Sequence, residues 1–507
     1  MESWFFNPTN LTAPDYAVVA VFIGLMFVIG FYAGRKEENT NDFFLGGRRV
    51  PAWAACLSFV ATEISALTII SVPATAFREN WQYGQFFIGS ALSRIAIAFL
   101  FIPAFYRYDC TTIYQFLRFR FGQQTQVTAS AFFFVTRLLG SGVRLMVAAK
   151  AISILVGWHL IPTLLLFTVI SIVYIAYGGI KAVVWTNVLQ ALTFLAGGVA
   201  TLAFLATRLD GGLQEILRVA MEARKLEFFN WGPVDGSSLL GALFTDPNIV
   251  YIAILNGFVG SLAAFGTDHD LMQRLLTVET RRQSQKTILW TILGSFCVIA
   301  IFLSVGTGLF VFHAQNPGLP QPPKPDDVFP HFINNVMPAL LRGLLLAGIL
   351  LASIDSPLGS LSASFVTDIY RTLLAPGRDD RHYLAVGRVS VVVFGLILVA
   401  LAYAFSFLDR FLWLAFKIGG VTFGSLLGVF LLGLTTERRA DRANTLAMTA
   451  SAVTMGALLV LSETKVLPIG WSWLVILGTV MTFSLAYALG PRLEARGAGI
   501  AAEGGIG

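Results

Sequence analysis

This chain is short of charge, of cysteine and of the motifs that mark enzymes. Charged residues make up 13% of its 507 residues, against about 25% in a soluble domain. That scarcity excludes a disordered chain, which is polar and charge-rich, and an ordinary water-soluble enzyme. Cys56, Cys110 and Cys297 are the only cysteines and stand far apart. An odd number at that spacing speaks against a disulfide framework or a zinc centre. The sequence holds no Walker loop and no GxSxG, HExxH or CxxC pattern, so nothing encodes an ATP-driven pump or a hydrolytic site. The opening stretch, MESWFFNPTNLTAPD, lacks Lys and Arg. Without a cationic n-region it does not read as a cleavable signal peptide, and the first apolar run is expected to stay.

What the chain has is apolar length. Hydrophobic residues account for 56% of it. About 20 apolar residues cross a bilayer as a helix. Thirteen runs of that kind are predicted, at roughly 16–34, 51–77, 84–108, 123–156, 159–178, 181–207, 247–273, 284–313, 330–371, 382–405, 409–433, 443–463 and 468–490. The run 330–371 is too long for one span, so a break is expected near Gly343. The fold class is therefore an all-α polytopic membrane protein, a single transmembrane unit in lipid. The tail 491–507 is rich in Gly and Ala and is expected to be disordered.

The cations set the orientation. With the N-terminus outside and an odd number of spans, the inside loops hold 20 Lys and Arg and the outside segments hold 8. That bias predicts N-out, C-in. It also accounts for the net charge of +6 without any nucleic-acid partner.

Ionisable groups at membrane depth are costly and mark function by default. Glu63 lies inside the second run, among Thr62, Ser65 and Thr68, with Pro73 downstream. Pro73 frees the carbonyl of Ile69. A weakened helix with polar side chains predicts a discontinuous span whose bared carbonyls suit a small hard cation. The other reading makes Glu63 a structural acid paired with an arginine. A second cluster holds Ser353, Ser356, Ser360 and Ser364 at steps of 3, 4 and 4. One helix face thus carries four hydroxyls. Asp355 lies among them, and Pro357 frees the carbonyl of Ser353. The third cluster is Arg137, Ser141 and Arg144, again on one face. These arginines either bind a carboxylate solute bidentately, or pair with Glu63 and Asp355, or reach toward an interface. Asp268, His269, Asp270 and Arg274 read as a structural ion-pair network.

Several motifs then resemble the sodium:solute symporter family, whose members include sodium/glucose, proline, iodide and sialic-acid transporters. They are Asp42-Phe43-Phe44-Leu45-Gly46-Gly47-Arg48, the run Tyr177 to Thr186 before Asn187, the stretch ending Thr367-Asp368-Ile369-Tyr370, and Phe423 to Leu434. The resemblance covers nearly the whole chain. It implies a leucine-transporter-type core of two inverted five-helix repeats, here 51–207 and 247–435, with a broken first helix in each. It implies sodium as the coupling ion, with the carbonyls of Ala61, Ile64 and Ile349, and Ala352 and Ser353, as the main site. Asn187, Asp355 and Ser356 would form a second. Ala352 stands where the family usually has a hydroxyl, and Asn187 where many members have Asp. Asp355 either replaces the lost ligand or carries a proton as an alternative coupling ion. Thr62, Glu63, Ser65 and Thr68 are expected to face a small-molecule solute, a sugar or a carboxylate, with Ser261 and Phe265 at the matching break of the second repeat. The expected activity is secondary transport by alternating access in a plasma membrane, of bacterial inner-membrane type, with no obligate protein partner. A non-transporting sensor or scaffold on the same fold is the competing class.

Overall fold

The computed structural model describes residues 10–35, 39–233, 238–318, 327–354, 357–407, 411–467 and 469–503, without the side chains of 66, 67, 154, 353, 354, 411–418 and 495–503. Among the described residues the chain is helices and connecting turns, with no strand.

The chain enters on α1 (Ala13–Ala33), where Thr12 and Asp15 form a capping box beside a first-turn proline. The short α2 (Thr40–Leu45) leads to α3 (Ala52–Glu63). After Ile64 and Ser65, both extended, α4 (Ala66–Arg78) sets off at a bend of 59°. Next comes α5 (Gln85–Ala96), joined through a π-helical turn to α6 (Ile102–Arg107). Then follow α7 (Ile113–Arg120), α8 (Gln123–Val156) and α9 (Leu160–Arg208). The loop expected outside carries α10 (Gly212–Glu222) and α11 (Leu239–Thr245). Beyond it lie α12 (Val250–Gly266), α13 (His269–Leu276) and α14 (Arg281–Gln315). The next stretch gives α15 (Val328–Asn335), α16 (Leu341–Ile354) and α17 (Leu358–Ser364). The chain closes with α18 (Asp380–Phe405), α19 (Phe411–Thr435), α20 (Asp441–Glu463) and α21 (Ser472–Glu503).

Nine of the described helices are long and apolar enough to cross a membrane, and α3 with α4 makes a bent tenth. Among the described residues each of the thirteen predicted runs overlaps a helix, and α9 alone takes two of them. Its 49 residues bend at Gly179, where φ is 50° and ψ −147°. Only glycine holds that backbone without strain. The long run 330–371 is interrupted before Gly343, between Asn335 and Leu341. The last helix continues to Glu503, through most of the segment expected to be a disordered tail.

The break expected in the second run is present: the helix stops at Ile64 and Ser65, next to Glu63, and Pro73 lies inside the continuous α4. In the second repeat the break sits later than expected: α12 runs unbroken through Ser261 and Phe265, and the interruption falls at Thr267 and Asp268. Asp268 then caps α13 by accepting from the Asp270 amide at 2.8 Å, the ordinary N-cap role of Asp. The partner of α12 is α5. A Cβ on Gly89 would strike the Ile254 carbonyl, and one on Gly257 the Phe86 carbonyl, so these two backbones meet directly.

Two polar contacts tie distant segments together. Asp15, fully buried, accepts from Arg342 Nη2 at 2.7 Å and from the Gly343 amide at 3.1 Å. This joins α1 to the first turn of α16, where free amides welcome an anion. On the loop expected outside, Lys225 Nζ donates to the carbonyls of Phe77 and Arg78 at 2.8 and 2.9 Å. Its ammonium also lies over the Phe310 ring at 4.3 Å. Burial pushes this ammonium below the usual lysine range. Asp15→Ala is expected to cost about 3 kcal/mol, because it strands a buried arginine. Thermal unfolding in detergent checks this, and an unchanged midpoint would refute it.

Candidate functional site

The break in the first repeat is where side chains from other helices converge on backbone. Gln190 Nε2 donates to the Ala61 carbonyl at 3.3 Å. Arg144 Nη1 reaches the Thr62 carbonyl at 3.5 Å. Asn187 Nδ2 donates to Thr62 Oγ1 at 3.0 Å and to Ser58 Oγ at 3.2 Å. The Thr62 hydroxyl passes its own proton to the Ser58 carbonyl at 2.9 Å. A helix end that has lost its own donors is thus served from α8 and α9.

Beside the break lies a narrow cavity of about 30 Å³. Ala61, Thr62 and Ser65 line it from the broken span, and Ala352 and Pro357 from the serine-rich region. Arg137, Ser141 and Arg144 line it from α8, and Gln190 from α9. The two clusters expected to hold a cation therefore share one cavity wall. Ile64 and Ile349 are both buried nearby in sequence to these residues, at the break and in the last turns of α16. Asp355, Ser356 and the side chain of Ser353 lie outside the described residues.

Four expected solute contacts do not line this cavity: Glu63, Thr68, Ser261 and Phe265. Three of them surround an arginine instead. Arg94 Nη2 lies 2.5 Å from Glu63 Oε2, and Ser295 Oγ donates to the same oxygen at 2.6 Å. Arg94 Nη1 donates to Ser90 Oγ at 3.0 Å, and Ser261 Oγ donates to Ser90 Oγ at 2.9 Å. The guanidinium carbon sits 4.7 Å from the Phe265 ring centroid, the geometry of a cation on an aromatic face. The structural reading of Glu63 is the one realised. Thr68 is taken up in the start of α4, its amide bonded to the Ser65 carbonyl at 2.9 Å. Arg94 went unselected in the sequence, although a lone arginine inside an apolar run beside a run with a lone acid was a usable signal.

The arginine stripe divides. Arg137 Nη1 lies 3.3 Å from Asp268, and its Nη2 bonds Asp270. Arg274 Nη1 lies 2.9 Å from Asp270 Oδ1. Of the expected network, Asp268, Asp270 and Arg274 are joined, and Arg137 completes it with a second guanidinium; His269, also expected there, is buried with neither ring nitrogen hydrogen-bonded among the described residues. Arg144, two turns further along the same stripe, stays with the break.

Arg94→Met is expected to lower thermal stability in detergent by roughly 3–5 kcal/mol, since it strands the Glu63 carboxylate. Adding Glu63→Leu should recover most of that loss. A double variant no more stable than the single one would assign the loss to packing rather than charge.

Comparison with known proteins places this geometry. The family model described as "Sodium:solute symporter family" matches residues 43–451. The sodium/sialic acid symporter NanT of Aliivibrio fischeri is 27% identical over 97% of this chain and 95% of its own length. The sodium/sialic acid symporter SiaT of Proteus mirabilis is 29% identical over 84% of this chain and 85% of its own. A solved structure of a substrate-bound, outward-open Na+-coupled sialic acid symporter superposes with a TM-score of 0.83 at 26% identity, covering 95% of this chain and 98% of that one. The described helices thus form the leucine-transporter-type fold. The chain belongs to the sodium:solute symporter family: it is a secondary active, sodium-coupled transporter of small solutes, built into the membrane, and not an enzyme.

Proposed function

We propose that this chain carries a small carboxylate-bearing solute, of the acidic-sugar type, inward with sodium across a bacterial inner membrane. The observation that carries this reading is the single cavity that gathers the guanidinia of Arg137 and Arg144, the hydroxyls of Ser65 and Ser141, and the amide of Gln190. Guanidinium matches a carboxylate bidentately, and hydroxyls and amides suit sugar oxygens. Arg144 is the anchor in this reading, because it lines the cavity directly beside the break, at the Thr62 carbonyl. The cavity has room for water and not for an organic solute. Loading therefore requires the broken span and α8 to part, which is the alternating-access step.

The ion occupies the seam between the two clusters. In this reading the carbonyl oxygens of Ala61 and Ile64, together with Ile349, Ala352 and the Ser353 hydroxyl at the end of α16, make up an oxygen cage for a hard cation, and Gln190 gives up the Ala61 carbonyl to it. Asp355 supplies the ligand that Ala352 lacks, and Ser356 and Asn187 extend the site. One cation entering gains about 2.3 kcal/mol per 100 mV and roughly 1.4 kcal/mol per tenfold gradient. Together these support accumulation of roughly a few hundred-fold. Sodium at the break favours the outward-open state by differential affinity, and solute favours closure. In this cycle the helices that hold the break from one side, α8 and α9, move against those that hold it from the other, α5, α12 and α14. Solute, ion and lipid suffice for it; no nucleic acid or obligate protein partner takes part.

Two variants test this. In proteoliposomes, Arg144→Gln should raise the KM for a labelled acidic sugar by tenfold or more, as expected for a lost charge-assisted bidentate pair of about 1.5–3 kcal/mol. Uptake of a neutral sugar exceeding that of every acid would retire the carboxylate reading. Asp355→Asn should raise the sodium concentration for half-maximal uptake about tenfold and leave the pH profile in place. A flattened pH profile with intact sodium dependence would make Asp355 a proton carrier instead.

A further inference from the structure

On the far side of the broken span a second cavity opens laterally, between α3, α9 and α14. Its volume is about 760 Å³. Its walls are apolar along most of their length, with Val60, Ala61 and Ile64 on one side and Phe194 and Val298 on the others. At one end the lining changes to Gln283 and Lys286, beside Trp53 and Trp290. From Lys286 to Val298 the cavity follows twelve residues of α14, which is about 18 Å at 1.5 Å per residue. Half of a hydrocarbon core is about 15 Å. The cavity is thus as long as one acyl chain is deep.

Its basic end fits a headgroup. Lys286 is exposed and follows Arg281 and Arg282 in the first turns of α14, the end that the cation bias puts inside. Among the described residues, Lys286 forms no ion pair with an acid. Trp53 is 55% and Trp290 63% exposed, and indoles settle at the headgroup level of a bilayer. The cation, the indoles and the apolar slot stand in the order of an anionic lipid's phosphate, glycerol and chain.

The position of this slot gives it consequence. Ala61 lines both this cavity and the central one, so a single backbone layer separates them. Ile64, where the span breaks, is also in its wall. We propose that this groove is a binding site for an anionic phospholipid, with one acyl chain against Val60, Ala61 and Ile64 and the phosphate on Lys286. A chain seated there braces the break from behind.

Cys297 lines the groove and its side chain is exposed, so its labelling reports on what covers it. A full-length variant with Cys56→Ser and Cys110→Ala leaves it the sole thiol. The purified variant is reconstituted in phosphatidylcholine alone, and in phosphatidylcholine mixed equally with phosphatidylglycerol. N-ethylmaleimide labelling of Cys297 is then timed in both. Labelling should be about fivefold slower in the mixed vesicles, the effect of one lysine at an anionic surface. Lys286→Arg should keep that difference and Lys286→Glu should abolish it. Equal rates in the two lipids, or protection that survives Lys286→Glu, would overturn the proposal. The readout needs no transported solute, so it stands or falls apart from the transport reading.

Discussion

The buried ion pair between Glu63 and Arg94 is the contact around which the core is assembled. A carboxylate in a low-dielectric interior must find a cation or give up its charge. Here it finds one on the neighbouring span, at 2.5 Å, and Ser295 from α14 adds a second donor. Arg94 also reaches Ser90, which Ser261 of α12 shares, and it lies on Phe265. One guanidinium therefore links α3, α5, α12 and α14. Glu63 is the last residue of α3, so the link grips the chain where its helix ends. From the other side, Asn187, Gln190 and Arg144 hold the Thr62 hydroxyl and the Ala61 and Thr62 carbonyls. The break is pulled between two groups of helices, one on each side. Relative motion of those groups would act directly on the backbone oxygens at the break.

What was legible in the sequence is what lipid enforces. Apolar runs must become helices because no water is present to satisfy a bare backbone. For the same reason a polar patch within a run points to a break or a partner. Hence the helical architecture, the shared cavity of Ala61 and Ala352, and the Asp268–Asp270–Arg274 network were within reach. The errors have one physical source, which is that side-chain partners are set by three-dimensional neighbours. Ser261 and Phe265 occupy an intact helix, and the interruption waits for the capping residue Asp268. Asp15 and Arg342 stand 327 residues apart in the sequence and meet only in the fold.

The two arginines of α8 show how one helical face acquires two duties. Arg137 and Arg144 are seven residues apart, two turns along the same stripe. The first is neutralised by a pair of carboxylates at the interruption between α12 and α13. The second addresses the interruption between α3 and α4. A single straight helix thus touches both discontinuities of the core, and a change of register at one is felt at the other without any intervening loop.

Lys225 has a different significance. Its ammonium holds the final carbonyls of α4, the outer half of the broken span, from a connection that carries the amphipathic α10. That connection is therefore tied mechanically to the broken span. A nanobody that clasped α10 from the external medium would hang on α4 like a weight on a lever arm, without lying across the central cavity.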